Sequence, residues 1–247
     1  MKVFLLLRIG DIIIVNVISI FLTVFSLAGQ FENDFRKEIE NALRIQGDIS
    51  SLFKSRVGLW GGDYDICSSI IFPELIRFSV VRDKMESLIL MTFYKLHGTK
   101  FSDYSIGLFQ MKPSFIEALE VELQEYGDLR KFSFIWEYPK GLNPREVREM
   151  RIERMLNLTW QIDYLICFIK LLDEIHGANE QFLILQNKKE RIAFYASSYN
   201  SGYWYDLNKI KQYQNIKLYP HGKNWYDKQY NYSDVSIYCY EKFILGE

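Results

Sequence analysis

The stretch between residues 143 and 177 constrains the fold more than any other, because signals for a helix start and a helix stop lie at its two ends. Asn143 is a favoured N-cap residue, and Pro144 occupies the first helical position, where a missing N–H is tolerated. His176-Gly177 is typical of a helix end, and a break is expected near Asn157. Similar patterns recur along most of the chain, so the sequence predicts a mainly α-helical protein.

Other segments carry the same kinds of helix signal. Residues 101–111 are predicted to form a loop or, at most, a small strand pair. A helix over residues 65–72 is predicted to stop at Pro73, because proline cannot continue the hydrogen-bond ladder. One further helix is predicted from the helical spacing of Val81, Met85, Leu88, Thr92 and Leu96, with its end at His97-Gly98. Three more are predicted from Pro113 onward, over residues 179–199, and from a cap at Ser233 to about residue 243.

Length and composition fit a single globular domain over residues 29–247, with 49% hydrophobic residues in the 247-residue chain available for a core. The net charge of -1 gives no basic surface, so no nucleic-acid partner is expected. Cys67, Cys167 and Cys239 are odd in number and far apart, which argues against a disulfide framework and a structural zinc site. Because no HExxH or similar motif is present, neither a metal nor a cofactor is expected.

The first 28 residues have the layout of a secretory signal peptide. Lys2 and Arg8 precede an apolar run from Ile12 to Ala28, and Ser26-Leu27-Ala28 supplies small residues for a cleavage site. The alternatives are an uncleaved membrane anchor and a buried core helix. The sequence therefore predicts an exported protein of the periplasm or cell envelope.

One carboxylate stands in an apolar setting near a helix end. Glu74 follows Ile70, Ile71 and Phe72. Burial would raise its pKa, and a protonated Glu can donate to a leaving oxygen near neutral pH. Taken alone, Glu74 beside Arg77 also fits a surface ion pair of no catalytic meaning.

Two later segments combine glycine with polar side chains. In the first, Ser105 to Pro113, Gly107 allows close backbone approach and Gln110 offers a donor and an acceptor. In the second, Tyr199-Asn200-Ser201-Gly202, the phenol and the amide can hold a carboxyl or a sugar N-acetyl group, and Gly202 is expected to end a helix.

In this order, the three segments resemble the motifs of soluble lytic transglycosylases, which share the goose-type lysozyme fold. That family has a catalytic Glu at a helix end, then Gly-Leu-Met-Gln followed by Pro, then Ala-Tyr-Asn-x-Gly. The resemblance extends from about Asp65 to Gly202 and continues faintly through Pro220-His221-Gly222 and the last helix, which are similar to exported proteins of Bacteroidetes-type bacteria.

The resemblance implies a lysozyme-like helical domain that cleaves the glycan strands of peptidoglycan at the bond between N-acetylmuramic acid and N-acetylglucosamine. It implies Glu74 as the single catalytic residue, with Tyr199 orienting its carboxyl and Ser105, Gln110 and Asn200 binding substrate or nearby backbone. The expected cleft is lined by Glu74, Gln110 and Tyr199. Partners in the envelope are left open.

Two departures keep alternatives open. Leu75 stands where the family usually has Ser, and an added helix lies between Glu74 and Gln110. The chain could therefore be an inactive peptidoglycan-binding protein, an unrelated envelope protein or a hydrolytic lysozyme. Two-carboxylate hydrolysis needs a second acid, and the candidates Asp63, Asp65, Glu86 and Asp103 all lack a setting like that of Glu74.

Aromatic residues follow the third segment directly, at Tyr203, Trp204 and Tyr205. Glycan strands are long and amphipathic, so a cleft that binds them is expected to present aromatic platforms. Trp204 is the predicted platform residue, and packing of these rings in the core is the alternative.

Overall fold

A computed structural model describes residues 29–185, 187–220, 222 and 229–246. The signal peptide predicted for residues 1–28 lies outside the described residues. The chain divides into two compact units, residues 1–40 and residues 41–247. In the first unit, residues 29–34 are helical and the Phe31 ring lies 5.1 Å from that of Phe35.

The structure is 74% helical, in agreement with the mainly α-helical prediction. Besides the helical residues 29–34, the described residues contain eleven α-helices and one two-stranded antiparallel sheet. The helices are α1 (Arg36–Leu59), α2 (Tyr64–Arg77), α3 (Val80–Ile89), α4 (Lys95–His97), α5 (Pro113–Glu125), α6 (Pro144–Leu156), α7 (Leu158–His176), α8 (Glu180–Leu183), α9 (Lys188–Ser201), α10 (Leu207–Tyr213) and α11 (Tyr232–Cys239). A π-helical turn, Leu90–Tyr94, joins α3 to α4; a 3₁₀ helix, Gly127–Ile135, follows α5; and a second π-helical turn, Tyr240–Leu245, follows α11.

The signals that bound the stretch from residue 143 to residue 177 are confirmed. Asn143 caps α6 in a reciprocal capping box with Glu146, and Pro144 is the first helical residue. Asn157 ends α6 and caps α7, which ends at His176. No single helix within the described residues is both long and apolar enough to cross a membrane; α6 and α7 meet that test only as a pair bent by 94°.

Helix α2 corrects the predicted stop at Pro73. The helix continues through Pro73 to Arg77. An internal proline costs about 3 kcal/mol through its lost hydrogen bond and steric clash. Eleven consecutive residues from Ile66 to Ile76 are buried, and each large apolar side chain among them contributes about 1.5–3 kcal/mol. Tertiary burial therefore outweighs the local penalty, and Glu74 sits inside the helix rather than beyond its end.

Two smaller predictions are also wrong in detail. Residues 179–199 form two helices, α8 and α9, with a new N-cap at Asn187. The cap of α11 is Asn231, whose side chain accepts hydrogen bonds from both the backbone and the hydroxyl of Ser233. The segment 101–111 is a loop with a single bridge between Ile106 and Met111, in agreement with its prediction. The two-stranded sheet lies later in the chain, where β1 (Lys217–Tyr219) pairs with β2 (Tyr230–Asn231).

The core of the second unit forms around α2, which packs against α9 and α11. Helix α3 follows it directly and forms at the spacing predicted from Val81, Met85 and Leu88, yet those three side chains are exposed. The free cysteines Cys67 and Cys167, like Cys239, are buried. The two consecutive helices thus differ in burial although both carry helically spaced apolar residues.

Candidate functional site

A cleft of about 430 Å³ opens where α2, α9 and the segment before α5 meet. Glu74, Gln110 and Tyr199, which are predicted to line a common cleft, all line this one. The six predicted site residues all line it, and they are Glu74, Ser105, Gln110, Tyr199, Asn200 and Trp204. Three segments that are far apart in sequence are therefore neighbours in the fold.

Glu74 projects into this cleft from the last turn of α2 and is only 4% exposed. Burial raises the pKa of its carboxyl above the ordinary value, and the positive charge of Arg77 offsets part of that rise. The Tyr232 hydroxyl lies within hydrogen-bond reach of the carboxyl. The Oε2 atom of Glu74 is buried and accepts no hydrogen bond from the described residues.

The ion pair between Glu74 and Arg77 is present, but it is not on the surface as the alternative interpretation of the sequence required. Arg77 Nη2 lies 3.4 Å from Glu74 Oε2, with 6% of the Glu74 side chain exposed and 23% of the Arg77 side chain. A surface pair would leave the carboxyl ionised and solvated. This arrangement instead holds a poorly solvated carboxyl close to one cation, and its pKa is still raised.

The segment from Ser105 to Met111 forms a tight loop closed by the Ile106–Met111 bridge. Gln110 has a φ of 50°, a left-handed conformation that non-glycine residues adopt infrequently and that is often found at functional sites. Its side-chain nitrogen donates to the Gly107 carbonyl oxygen at 2.8 Å, and the Gly107 N–H donates to Asp83 Oδ1 at 2.7 Å. The amide nitrogen of Gln110 therefore braces the loop that lines the cleft.

Gly107 is required by the close approach that the sequence indicated. Its φ is 77°, and a Cβ atom there would lie 2.5 Å from the Met155 carbonyl oxygen and 2.7 Å from Gln161 Nε2. The Oε1 atom of Gln161 accepts from the backbone N–H of Phe109 at 2.8 Å. The loop is thus fixed against the junction of α6 and α7, and its cleft-facing residues are held in place.

Tyr199 joins this loop to α9. Its hydroxyl donates to the Phe109 carbonyl oxygen at 2.7 Å, rather than to Glu74 as the family resemblance implied. Burial, together with the nearby negative charge of Glu74, raises the pKa of Tyr199, so the phenol stays neutral. A neutral phenol whose proton is engaged elsewhere can still accept a hydrogen bond from a protonated Glu74.

The end of α9 positions the remaining cleft residues. Gly202 ends the helix with a φ of 112°, as predicted, and a Cβ atom there would lie 2.5 Å from the Trp204 ring. Trp204 is 57% exposed and lines the cleft, whereas Tyr203 is buried against Phe115. The platform prediction therefore remains open for Trp204, and Tyr203 belongs to the core.

Several residues support the site in ways that the sequence did not predict. Asp83 holds the loop, Gln161 anchors it, Tyr232 approaches Glu74, and Tyr219 donates to the Pro73 carbonyl oxygen at 2.9 Å. None of them stands in a motif, so no local signal identified them. Asp103, one of the second carboxylates considered in the sequence, lines the cleft, and its two oxygens accept hydrogen bonds from the N–H and hydroxyl of Ser114.

No group of three or more His, Cys, Asp or Glu side chains that could hold a metal ion lies in the described part of the chain. No protein-family model, curated protein or solved structure matches this chain. The residues of the cleft and their contacts are accordingly the basis on which a function can be assigned.

Proposed function

We propose that the protein is a lytic transglycosylase that cleaves peptidoglycan glycan strands with Glu74 as its single acid and base. The observation that carries this proposal is a buried carboxyl of raised pKa in a cleft that also contains Gln110, Tyr199 and Asn200. A general acid must hold a proton near neutral pH and reach the leaving oxygen, and burial in a cleft supports both requirements.

In the first step, protonated Glu74 gives its proton to the glycosidic oxygen that links N-acetylmuramic acid to N-acetylglucosamine. The bond from C1 of the muramic acid to that oxygen breaks, and C1 gains oxocarbenium-like character. Glu74 becomes a carboxylate 3.4 Å from the Arg77 guanidinium, whose positive charge stabilises the ionised form. Arg77 therefore favours proton release, while burial favours the protonated resting state.

In the second step, the carboxylate takes the proton of the C6 hydroxyl of the same muramic acid. The C6 oxygen forms a bond to C1, and the product ends in a 1,6-anhydro ring. Glu74 is protonated again, and no water is consumed. Because the leaving oxygen and the C6 hydroxyl are served by one residue in turn, a second carboxylate is not required.

Hydrolysis by a lysozyme-like mechanism is the second candidate, and the position of Asp103 favours it. Its carboxylate lies on the wall of the same cleft as Glu74 and could activate a water. Both of its oxygens already accept hydrogen bonds from Ser114, at 2.8 Å and 2.7 Å, at the start of α5. These bonds give Asp103 a structural task, so the single-carboxylate mechanism is preferred.

The test is mass spectrometry of the products that the purified protein releases from peptidoglycan. We expect 1,6-anhydro ends from the wild type. Glu74→Gln should lower turnover by about 10²–10⁴-fold while binding is retained, because the amide matches the acid in shape but has no acidic proton. Glu125→Gln, the same change at an exposed position of α5, is the matched control and should leave turnover unchanged.

Each other outcome redirects the assignment. Reducing ends in place of anhydro ends, lost in Asp103→Asn, would establish the hydrolytic candidate. Binding without product in the wild type would make the protein an inactive glycan-binding protein. Full activity in Glu74→Gln would remove Glu74 from the mechanism.

The proposed substrate lies outside the cytoplasm, so the proposal includes export directed by residues 1–28. Cleavage after Ala28 is expected to leave Gly29 as the first residue. Amino-terminal sequencing of the protein recovered from the cell envelope checks this point, and an intact Met1 in envelope fractions would indicate an uncleaved anchor instead.

A further inference from the structure

A second cavity of about 430 Å³ adjoins the cleft. Arg77 and Asn200 line both spaces, and Arg82, Leu218, Tyr219, Pro220 and Gly222 complete the described wall of the second. Because two residues are shared, a ligand centred on Glu74 would have a side arm within reach of this second cavity. Its volume is in the range of ordinary ligand pockets and far exceeds the space that one carboxylate fills.

The described residues that line the second cavity carry charge of one sign. Arg77 and Arg82 line it, and no carboxylate is among the described residues of its wall. Arg82 Nη2 donates to the Arg77 carbonyl oxygen at 2.5 Å, and its Nε lies 4.0 Å from Glu86 Oε1. The hydrogen bond holds the Nη2 end of the guanidinium at the end of α2, and Arg82 also lines the second cavity.

We propose that this second cavity binds an acidic peptide substituent carried by the sugar in the cleft, with Arg77 and Arg82 holding a carboxylate of that peptide. The inference rests on the proposed function, because the muramic acid of peptidoglycan is the sugar that bears such a peptide. Guanidinium groups pair with carboxylates through two parallel hydrogen bonds, which suits a planar carboxylate at the end of a flexible arm.

The position of Arg77 links recognition to the chemistry. One end of its guanidinium lies beside Glu74 Oε2, and the same side chain lines the second cavity. A carboxylate bound there would compete with Glu74 for this cation. Peptide binding would thereby leave Glu74 with less positive charge beside it, which favours the protonated acid that the first step needs.

The experiment compares two substrates: peptide-bearing glycan, and the same glycan stripped of its peptides by an amidase. We expect the wild type to have a kcat/KM about tenfold higher on the peptide-bearing strands. Arg82→Gln should reduce that preference to less than about twofold, and Arg82→Lys, which keeps the charge, should retain part of it. Arg82 is substituted rather than Arg77, because Arg77 also contacts the carboxyl of Glu74 and its loss would affect the chemistry directly.

Arg148→Gln is the matched control. Arg148 also donates to backbone carbonyls at a helix end, those of Lys95 and Leu96, but it does not line either cavity. It should leave the substrate preference unchanged. Melting temperatures of all variants separate a lost contact from a damaged fold, and binding of an acidic tripeptide to the Glu74→Gln protein gives a measurement that does not depend on turnover.

The results distinguish this inference from the proposed function. Equal kcat/KM on both substrates, or an Arg82→Gln variant that slows both equally, would overturn the peptide subsite while leaving the transglycosylase assignment intact. No product from either substrate would instead overturn the proposed function. A preference that falls in Arg82→Gln and survives in Arg148→Gln, at unchanged melting temperature, would support the subsite.

Discussion

Helices α2 and α3 are consecutive, and both carry apolar residues at helical spacing, yet they occupy opposite environments. Eleven residues of α2 are buried between neighbouring helices, whereas α3 has no buried residue. The spacing of apolar residues predicts that a helix forms, but it does not determine which face another element will cover. In α2 the buried environment also gives Glu74 its raised pKa, so packing and chemistry arise from the same contacts.

Truncating one apolar side chain in each helix should give the largest difference in stability between the two environments. Ile71 in α2 is 0% exposed and Leu88 in α3 is 69% exposed. Ile71→Ala should lower the free energy of unfolding by about 2–5 kcal/mol, because it leaves a cavity in a packed core. Leu88→Ala should change it by less than about 0.5 kcal/mol.

Urea unfolding of both variants measures this difference. A loss of more than about 2 kcal/mol at Leu88 would show that the apolar face of α3 is covered in solution, and the comparison between the two helices would then fail.

The continuation of α2 through Pro73 has the same physical origin. The local cost of an internal proline predicts a helix end at this position. Burial of Ile70, Ile71, Phe72 and Leu75 decided the outcome, and burial is a property of neighbours that are distant in sequence. Signals that act within one turn, such as the capping box of Asn143 and Glu146, were predictable for the opposite reason.

The candidate site likewise combines residues that the sequence predicts with residues that it does not. Glu74, Gln110 and Tyr199 stand in short motifs, so their meeting in one cleft could be predicted. Their supporting residues could not, because Asp83 and Gln161 accept hydrogen bonds from backbone N–H groups that lie 24 and 52 residues away in the chain. A hydrogen bond made by one side chain with a distant backbone leaves no periodicity to detect.

Asp83 is the residue through which the exposed helix α3 supports the cleft. Its Oδ1 accepts from the Gly107 N–H at 2.7 Å and lies 3.4 Å from Gln110 Nε2. Asp83→Ala should cost about 1–3 kcal/mol, because a partly buried N–H loses its partner, and turnover should fall as the loop loosens. Lys84→Ala, an exposed neighbour on the same helix, should be neutral within about 0.5 kcal/mol.

Thermal unfolding and the product assay are run on both variants. Asp83→Asn keeps an oxygen acceptor and should recover most of the stability. If Asp83→Ala matches Lys84→Ala in both measurements, then α3 contributes nothing to the cleft, and the contrast between the two helices becomes complete.

The raised pKa of Glu74 predicts how stability depends on pH. Between the ordinary pKa of a glutamate and the raised value in the fold, the folded protein binds more protons than the unfolded chain. Stability therefore falls as pH rises through this window, by about 1.4 kcal/mol for each unit by which the pKa is raised. Glu74→Gln does not titrate, so it should become more stable than the wild type as pH increases, after near-equality at low pH.

Chemical unfolding of both proteins at a series of pH values checks this. A stability difference that stays constant with pH would mean that Glu74 titrates alike in the folded and unfolded chains. The burial of α2 would then have no consequence for the acidity of Glu74, and Glu74 would lose the property on which its proposed role as general acid rests.

Trp204 and Leu88 extend the comparison to exposed apolar side chains, since they are 57% and 69% exposed and only Trp204 lines the cleft. In the Glu74→Gln background, Trp204→Ala should weaken binding of glycan oligosaccharides by about three- to tenfold, because a ring platform of this kind contributes on the order of 1 kcal/mol. Its melting temperature should change little, since so much of the ring already contacts water. Leu88→Ala in the same background should change neither quantity, and calorimetric titration measures both affinities.

Unchanged affinity together with a large loss of stability in Trp204→Ala would assign the ring to packing against Tyr203 and Tyr205, which lie 5.5 Å and 6.0 Å away between ring centroids. In that case Trp204 would stabilise the turn after α9, and the contacts that hold a glycan over Glu74 would have to come from the polar residues of the cleft.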